Sequence, residues 1–126
     1  MKISVITAVF NNRATIAAAL DSVLAQTHSD VELVVIDGGS KDGTLDVLRA
    51  YGDRISILVS EPDDGIYAAL NKGIDLASGE IVGFLHSDDL MADEHVLERV
   101  ATAMQDQHVD AAYGHLLYVD KIDTTR

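Results

Sequence analysis

The 126-residue chain has no cysteine, no tryptophan, a single proline, and only nine Lys+Arg against 21 Asp+Glu. Each shortage excludes something. Without cysteine there is neither a disulfide framework nor a thiolate metal site, and a reducing compartment is allowed. The formal charge of −12 opposes naked nucleic acid and anionic lipid surfaces as partners. An anionic substrate would need a cation between itself and this protein. No apolar run approaches the roughly 20 residues of a membrane span. Ile3 to Phe10 is broken by Ser4 and Thr7 and runs into Asn11-Asn12 with no small-residue cleavage site, so it reads as a first strand and not as a signal peptide. What remains is a globular composition, 48% hydrophobic and 24% charged. A chain of this length forms one domain, 1–126, and buries about two-thirds of its unfolded surface around one core.

Strand and helix signals alternate along it. Ile3 to Val9, Leu33 to Ile36, Ile55 to Val59, Ile81 to Leu85 and Ala111 to Val119 are rich in β-branched and apolar residues and read as five strands. Between them the spacing predicts helices. Ile16, Leu20, Val23 and Leu24 form one apolar face from about residue 14 to 26, and Leu45, Leu48 and Tyr51 mark a short helix. Ile66, Ala69, Leu70, Gly73, Ile74 and Ala77 form a stripe whose small residues permit close packing on a sheet, and Leu97, Val100, Ala101 and Met104 mark a helix over 93–107. Such alternation argues for βαβ units and a mostly parallel sheet.

The chemistry gathers where strands end. Glu80 to Leu85 stops at His86-Ser87-Asp88-Asp89, two adjacent carboxylates that repel unless a cation joins them. A hard divalent ion held by oxygen ligands, with its other sites left for water and substrate phosphates, meets that need. Three loops follow strands at their carboxyl ends, 9–12, 37–44 and 86–89, which is where open α/β sheets bind ligands. The glycines of Asp37-Gly38-Gly39-Ser40-Lys41-Asp42-Gly43-Thr44 allow close approach to a phosphate, yet their spacing matches neither a Walker loop nor a G-x-G-x-x-G fingerprint.

Four segments in register carry a resemblance: Ile6 to Asn11, Val35 to Thr44, Glu61 to Ile74, and Phe84 to Asp89. Together they resemble the family 2 inverting glycosyltransferases over essentially the whole chain, most of all bacterial enzymes of polysaccharide biosynthesis. The resemblance implies a Rossmann-like GT-A fold, with a mostly parallel sheet flanked by helices. It implies a nucleoside-diphosphate-sugar donor, a glycan or lipid-linked acceptor, and Mg²⁺ or Mn²⁺ as cofactor. Thr7, Val9 and Asn11 would lie against the nucleotide, Asp37 would face the base, and Gly39, Ser40, Ser87 and Lys72 complete the expected nucleotide site. Tyr67 and Asn71 share the family pattern around Lys72. Asp88 matches the last carboxylate of the family's D-x-D metal element, with Asp89 beside it and His86 at the position where relatives commonly carry Asp. Gly38 stands where many members have a second Asp, so uridine, guanosine and thymidine all stay open.

Family members generally run beyond this length, and their second half supplies the acceptor site and the base. The chain is therefore expected to be a truncated, donor-binding half that transfers little sugar, with His115, Asp120 and Asp123 the candidate bases it contains. An apolar sheet surface left uncovered would drive self-association, so a homo-oligomer is expected as an option. The implied location is the cytoplasm, with the inner face of the membrane left open. A nucleotidyltransferase would need a Gly-rich basic loop after the first strand, and Asn11-Asn12-Arg13 is not one. A phosphoacceptor receiver would need acidic residues there. A non-catalytic nucleotide-binding module is the remaining alternative.

Overall fold

The two longest apolar runs become the centre of the sheet. The computed structural model describes residues 1–106 and 116–118. Its elements are β1 (Ile3–Val9), α1 (Arg13–Leu24), β2 (Val31–Asp37), α2 (Thr44–Arg49), a 3₁₀ turn (Gly52–Arg54), β3 (Ile57–Ser60), α3 (Ile66–Leu76), β4 (Ile81–Phe84), α4 (Val96–Asp106) and β5 (Leu116–Tyr118). The strands form one sheet in the order β3-β2-β1-β4-β5. Every pairing is parallel.

Both faces of the centre are covered, which is why β1 and β2 read as continuous apolar runs. Ile3, Val5 and Val9 of β1 and Leu33 and Val35 of β2 pack with Ile16, Leu20 and Val23 of α1 and Leu97 and Ala101 of α4. The alternate residues Ile6, Val34 and Ile36 turn to the opposite face and meet Ala69 of α3. The result is a three-layer α/β/α arrangement.

The α3 stripe is narrower than its sequence pattern suggests. Ala69 and Gly73 are buried, whereas Ile66 and Ile74 are 45% and 36% exposed. Small residues let the helix axis come close, and the large ones are left at the margins. A Cβ on Gly73 would lie 2.5 Å from Cγ2 of Ile6. Gly73→Ala should therefore lower the unfolding free energy by about 1–3 kcal/mol through overpacking, despite the better helix propensity of alanine. Urea denaturation checks this, and a gain in stability would show that the helix does not sit so close.

Other boundaries shift by a few residues. β2 starts two residues earlier than its apolar core, because Val31 and Glu32 pair with Ile3 and Ser4 of β1. Glu32 is buried and accepts from the Ser4 hydroxyl at 2.8 Å and from the Ser78 N–H at 2.8 Å. Burial alone would raise its pKa, but those bonds, a second one from the Ser78 hydroxyl and Lys2 nearby hold it below the ordinary value. Leu24 is 38% exposed, and Ala19 takes its expected place on the buried face of α1. Tyr51 falls beyond α2, and its hydroxyl donates to the Asp21 carboxylate at 2.7 Å. Burial and that carboxylate push the phenol up to about 12. β5 lies inside the predicted fifth strand, whose remainder, with His115, Asp120 and Asp123, is outside the described residues.

Candidate nucleotide site at the carboxyl edge

Strand order reverses between β1 and β4, so the loops after these strands diverge and leave a crevice at the carboxyl edge. Parallel register sets the depth of each loop. Val9 pairs with Asp37, and Asp37 with Ser60, so three strands end on one line. β4 ends lower, with Phe84 opposite Ile6, and the Leu85 N–H donates to the Ile6 carbonyl at 3.0 Å. The 86–89 turn thus rises beside the end of β1. A cavity of about 380 Å³ occupies the crevice, lined by Ala8, Val9, Phe10, Gly38, Asp63 and Ser87 together with the start of α3. That volume is in the range of small-molecule sites. A larger hollow, about 520 Å³, is lined only by α4 and His95 just before it, and it meets no strand end.

Asp37 organises the β2 loop. Its side chain is fully buried and accepts from the hydroxyls of Ser40 and Ser60 and from the N–H groups of Gly39 and Ser40, the last at 3.1 Å. Both carboxylate oxygens are therefore engaged within the protein. Gly39 carries φ +89°, and a Cβ there would press on Pro62, so the turn depends on glycine. Asn11, at φ 48°, ties this loop to the β1 loop: its N–H donates to the Ser40 hydroxyl at 2.7 Å, and its Oδ1 accepts from the Lys41 N–H at 2.8 Å.

Asp63, to which the sequence reading gave no role, is the carboxylate that lines the cavity. Its Oδ1 accepts from the Gly65 N–H at 3.0 Å, while Oδ2 is buried without a hydrogen-bond partner among the described residues. A Cβ on Gly38 would lie 3.2 Å from that Oδ2. The carboxylate thus fills the space into which a side chain at position 38 would project. Burying an unpaired acceptor costs on the order of 1–3 kcal/mol, so this atom is poised for a donor supplied by a ligand. In the sequence Asp63 sits within a polar Pro-Asp-Asp-Gly loop, and only the paired signal of Gly38 and an acidic neighbour could have marked it.

The other predicted residues divide. Val9 and Ser87 line the cavity. Thr7 is fully buried one layer below, its hydroxyl without a hydrogen-bond partner among the described residues. Lys72 forms an ion pair with Glu61 at 2.6 Å and does not line the cavity. Tyr67 is 80% exposed beside it. In the turn, the Asp89 N–H donates to the His86 carbonyl at 3.0 Å; Asp88 is exposed, His86 half-buried and Asp89 buried. Among the described residues no three His, Asp or Glu side chains gather into a set able to hold a metal by themselves. The donor set that does fit here is smaller: the exposed Asp88 carboxylate, with substrate phosphates and water as the remaining ligands, in the way Mg²⁺ is usually bound.

Such a sheet, with a cavity at its strand-order reversal and carboxylates on the adjoining loops, defines a Rossmann-like nucleotide-binding protein. The chain belongs to glycosyl transferase family 2, whose profile matches residues 4–126. It is 39% identical over 119 residues to a PGL/p-HBAD biosynthesis glycosyltransferase of Mycobacterium tuberculosis, covering 90% of this chain and 46% of that protein. With the glycosyltransferase AglE of Haloferax volcanii it shares 35% identity over 119 residues, 90% of this chain and 39% of AglE. The chain thus spans less than half the length of these curated relatives. Among solved structures it superposes on S. aureus TarS 1-349 in complex with UDP-GlcNAc with a TM-score of 0.78 and 30% identity, over 86% of this chain and 32% of that one. The mannosyltransferase PcManGT from Pyrobaculum calidifontis, in complex with GDP-Man and Mn²⁺, gives 0.75 and 28% over 82% of this chain and 32% of that one. The fold is GT-A. No helix among the described residues is long and apolar enough to cross a membrane.

Proposed function

We propose that residues 1–126 are the donor-binding portion of an inverting glycosyltransferase that takes a nucleoside-diphosphate sugar and passes the sugar to a glycan or lipid-linked acceptor. One observation carries the reading: the cavity at the carboxyl edge is walled by Asp63, whose buried oxygen has no donor among the described residues, and its lining residue Ser87 leads directly into the exposed Asp88. The base lies against Val9 and Phe10 and gives an N–H to Asp63, while Asn11, Asp37 and Ser40 hold the loop that shapes this wall. Ser87 stands on the opposite wall, toward the diphosphate. The PcManGT complex with Mn²⁺ supports a divalent cation, with Asp88 the residue of this chain that would hold it and His86 and Asp89 setting the turn around it. Such a cation, when bound, supplies charge neutralisation for the diphosphate.

The reaction is a single in-line displacement. An acceptor hydroxyl loses its proton to a base, its oxygen bonds to the anomeric carbon, and the carbon–oxygen bond to the diphosphate breaks on the opposite face, which inverts the configuration. This portion of the chain positions the donor. No described residue is assigned to the acceptor site or to the base.

The base-reading role is tested by a thermal-shift panel, because binding to the native state raises its stability by mass action. Uracil, thymine and guanine present a ring N–H that an acceptor-only carboxylate can take, whereas cytosine and adenine present an unprotonated ring nitrogen. UDP, dTDP or GDP should therefore stabilise the chain more than CDP and ADP, and Asp63→Ala should erase the preference. An unchanged ranking in Asp63→Ala would overturn the assignment.

A further inference from the structure

The first turn of α1 makes contacts that helix formation does not call for. Asn12 occupies the N-cap position, where asparagine ordinarily accepts from an N–H of the first turn, yet it makes no side-chain cap. Its amide Nδ2 instead donates to the Ser87 hydroxyl at 2.8 Å, across 75 positions of sequence. Thr15, one turn on, turns its hydroxyl away from its own helix and donates to the Ser87 carbonyl at 3.0 Å. One turn of helix thus grips both the side chain and the main chain of the residue immediately before Asp88. The other side of Asn12 is also fixed, since its N–H donates at 3.0 Å to the hydroxyl of Thr44, the first residue of α2, where the glycine-rich loop ends.

We propose that Asn12 and Thr15 are positioning residues that set the Ser87–Asp88 peptide, and through it the direction of the Asp88 carboxylate toward a divalent cation and the donor diphosphate. The inference rests on the donor-site reading above. A hydrogen bond to the Ser87 carbonyl fixes the plane of the peptide leading into Asp88. With the Asp89 N–H closing on the His86 carbonyl, the turn is held from inside and from α1. The Thr44 contact makes the same residue a link between the glycine-rich loop and the acidic turn, so the two walls of the cavity share one support.

Calorimetric titration of the 126-residue chain with UDP and GDP, in EDTA and in Mn²⁺, tests this. Thr15→Val, which keeps the shape of the side chain, and Asn12→Ala should each reduce the Mn²⁺-dependent gain in affinity about fivefold, the order of one lost hydrogen bond. Affinity in EDTA should stay within about twofold, and Thr15→Ser, which keeps the hydroxyl, should behave as the unaltered chain. A merely structural role would lower the thermal midpoint without moving the Mn²⁺-dependent gain. Folded Thr15→Val with an undiminished gain, or equal losses with and without Mn²⁺, would overturn the proposal even if Asn12→Ala does not fold. If the unaltered chain binds neither nucleotide under either condition, the donor-site reading itself fails. A Mn²⁺ gain in the unaltered chain that every variant retains refutes only the positioning role.

Discussion

Asp37→Ala should lower the unfolding free energy by about 3 kcal/mol, a large share of the roughly 5–15 kcal/mol that holds a domain of this kind together. The substitution removes the acceptor for four donors at once, two hydroxyls and two N–H groups from the loop after β2 and the end of β3. Gly39 and Ser40 are only half-buried, so water recovers part of the loss, and this keeps the effect below the sum of four buried vacancies. Asp37→Asn is the informative companion. It preserves volume and, with its NH₂ in the place of Oδ1, confronts only the Ser40 hydroxyl, which can turn to accept, so it should lose about half as much. Urea denaturation reads both, and a loss under about 1 kcal/mol for Asp37→Ala would show that the loop holds its shape by other means. Nucleotide affinity should fall with and without metal in either variant, because the wall of the cavity moves.

Asp88→Asn should have the opposite profile: a smaller loss of stability than Asp37→Ala, and loss of the metal-dependent part of nucleotide binding. The residue is exposed at the turn, so exchanging its carboxylate for an isosteric amide leaves packing intact. For the cation the exchange removes a hard anionic ligand, and a loss of at least about 100-fold in metal affinity is expected, since even outer-sphere partners are typically worth 10–100-fold. Calorimetry of a nucleoside diphosphate with and without Mn²⁺ separates the two contributions. An unchanged Mn²⁺ effect in Asp88→Asn would remove Asp88 from the site.

Much of the fold was legible because local pattern and tertiary role agree in it. The apolar runs of β1 and β2 are continuous because helices cover both faces, and the spacing of Leu97, Val100, Ala101 and Met104 matches the side of α4 that meets the core. Where the pattern misled, proximity was the cause. Gly73 brings α3 so close to Ile6 that Ile66 and Ile74 are pushed to the rim.

The site divides in the same way. The acidic turn after β4 and the glycine-rich loop after β2 announce themselves by residue type, at positions the parallel topology sends to one edge. Asp63 does not, because its meaning lies in the space left by Gly38, 25 positions earlier in the sequence. The same holds for Asn12 and Thr15, whose partner Ser87 is brought near only by the pairing of β4 with β1. The four donors that converge on Asp37 were not legible, since the count of donors meeting a carboxylate belongs to the folded loop.

The central claim is that the carboxyl edge of the sheet binds the nucleotide of a sugar donor. Titration of the ¹⁵N-labelled chain with UDP or GDP and Mg²⁺, followed by amide NMR shifts, tests it most directly. The predicted result is a contiguous set of perturbed amides from the ends of β1 to β4, centred on Phe10, Gly38, Asp63 and Ser87, with broadening around Asp88 when Mn²⁺ replaces Mg²⁺. Shifts confined to the hollow along α4, or none with any nucleoside diphosphate, would contradict it.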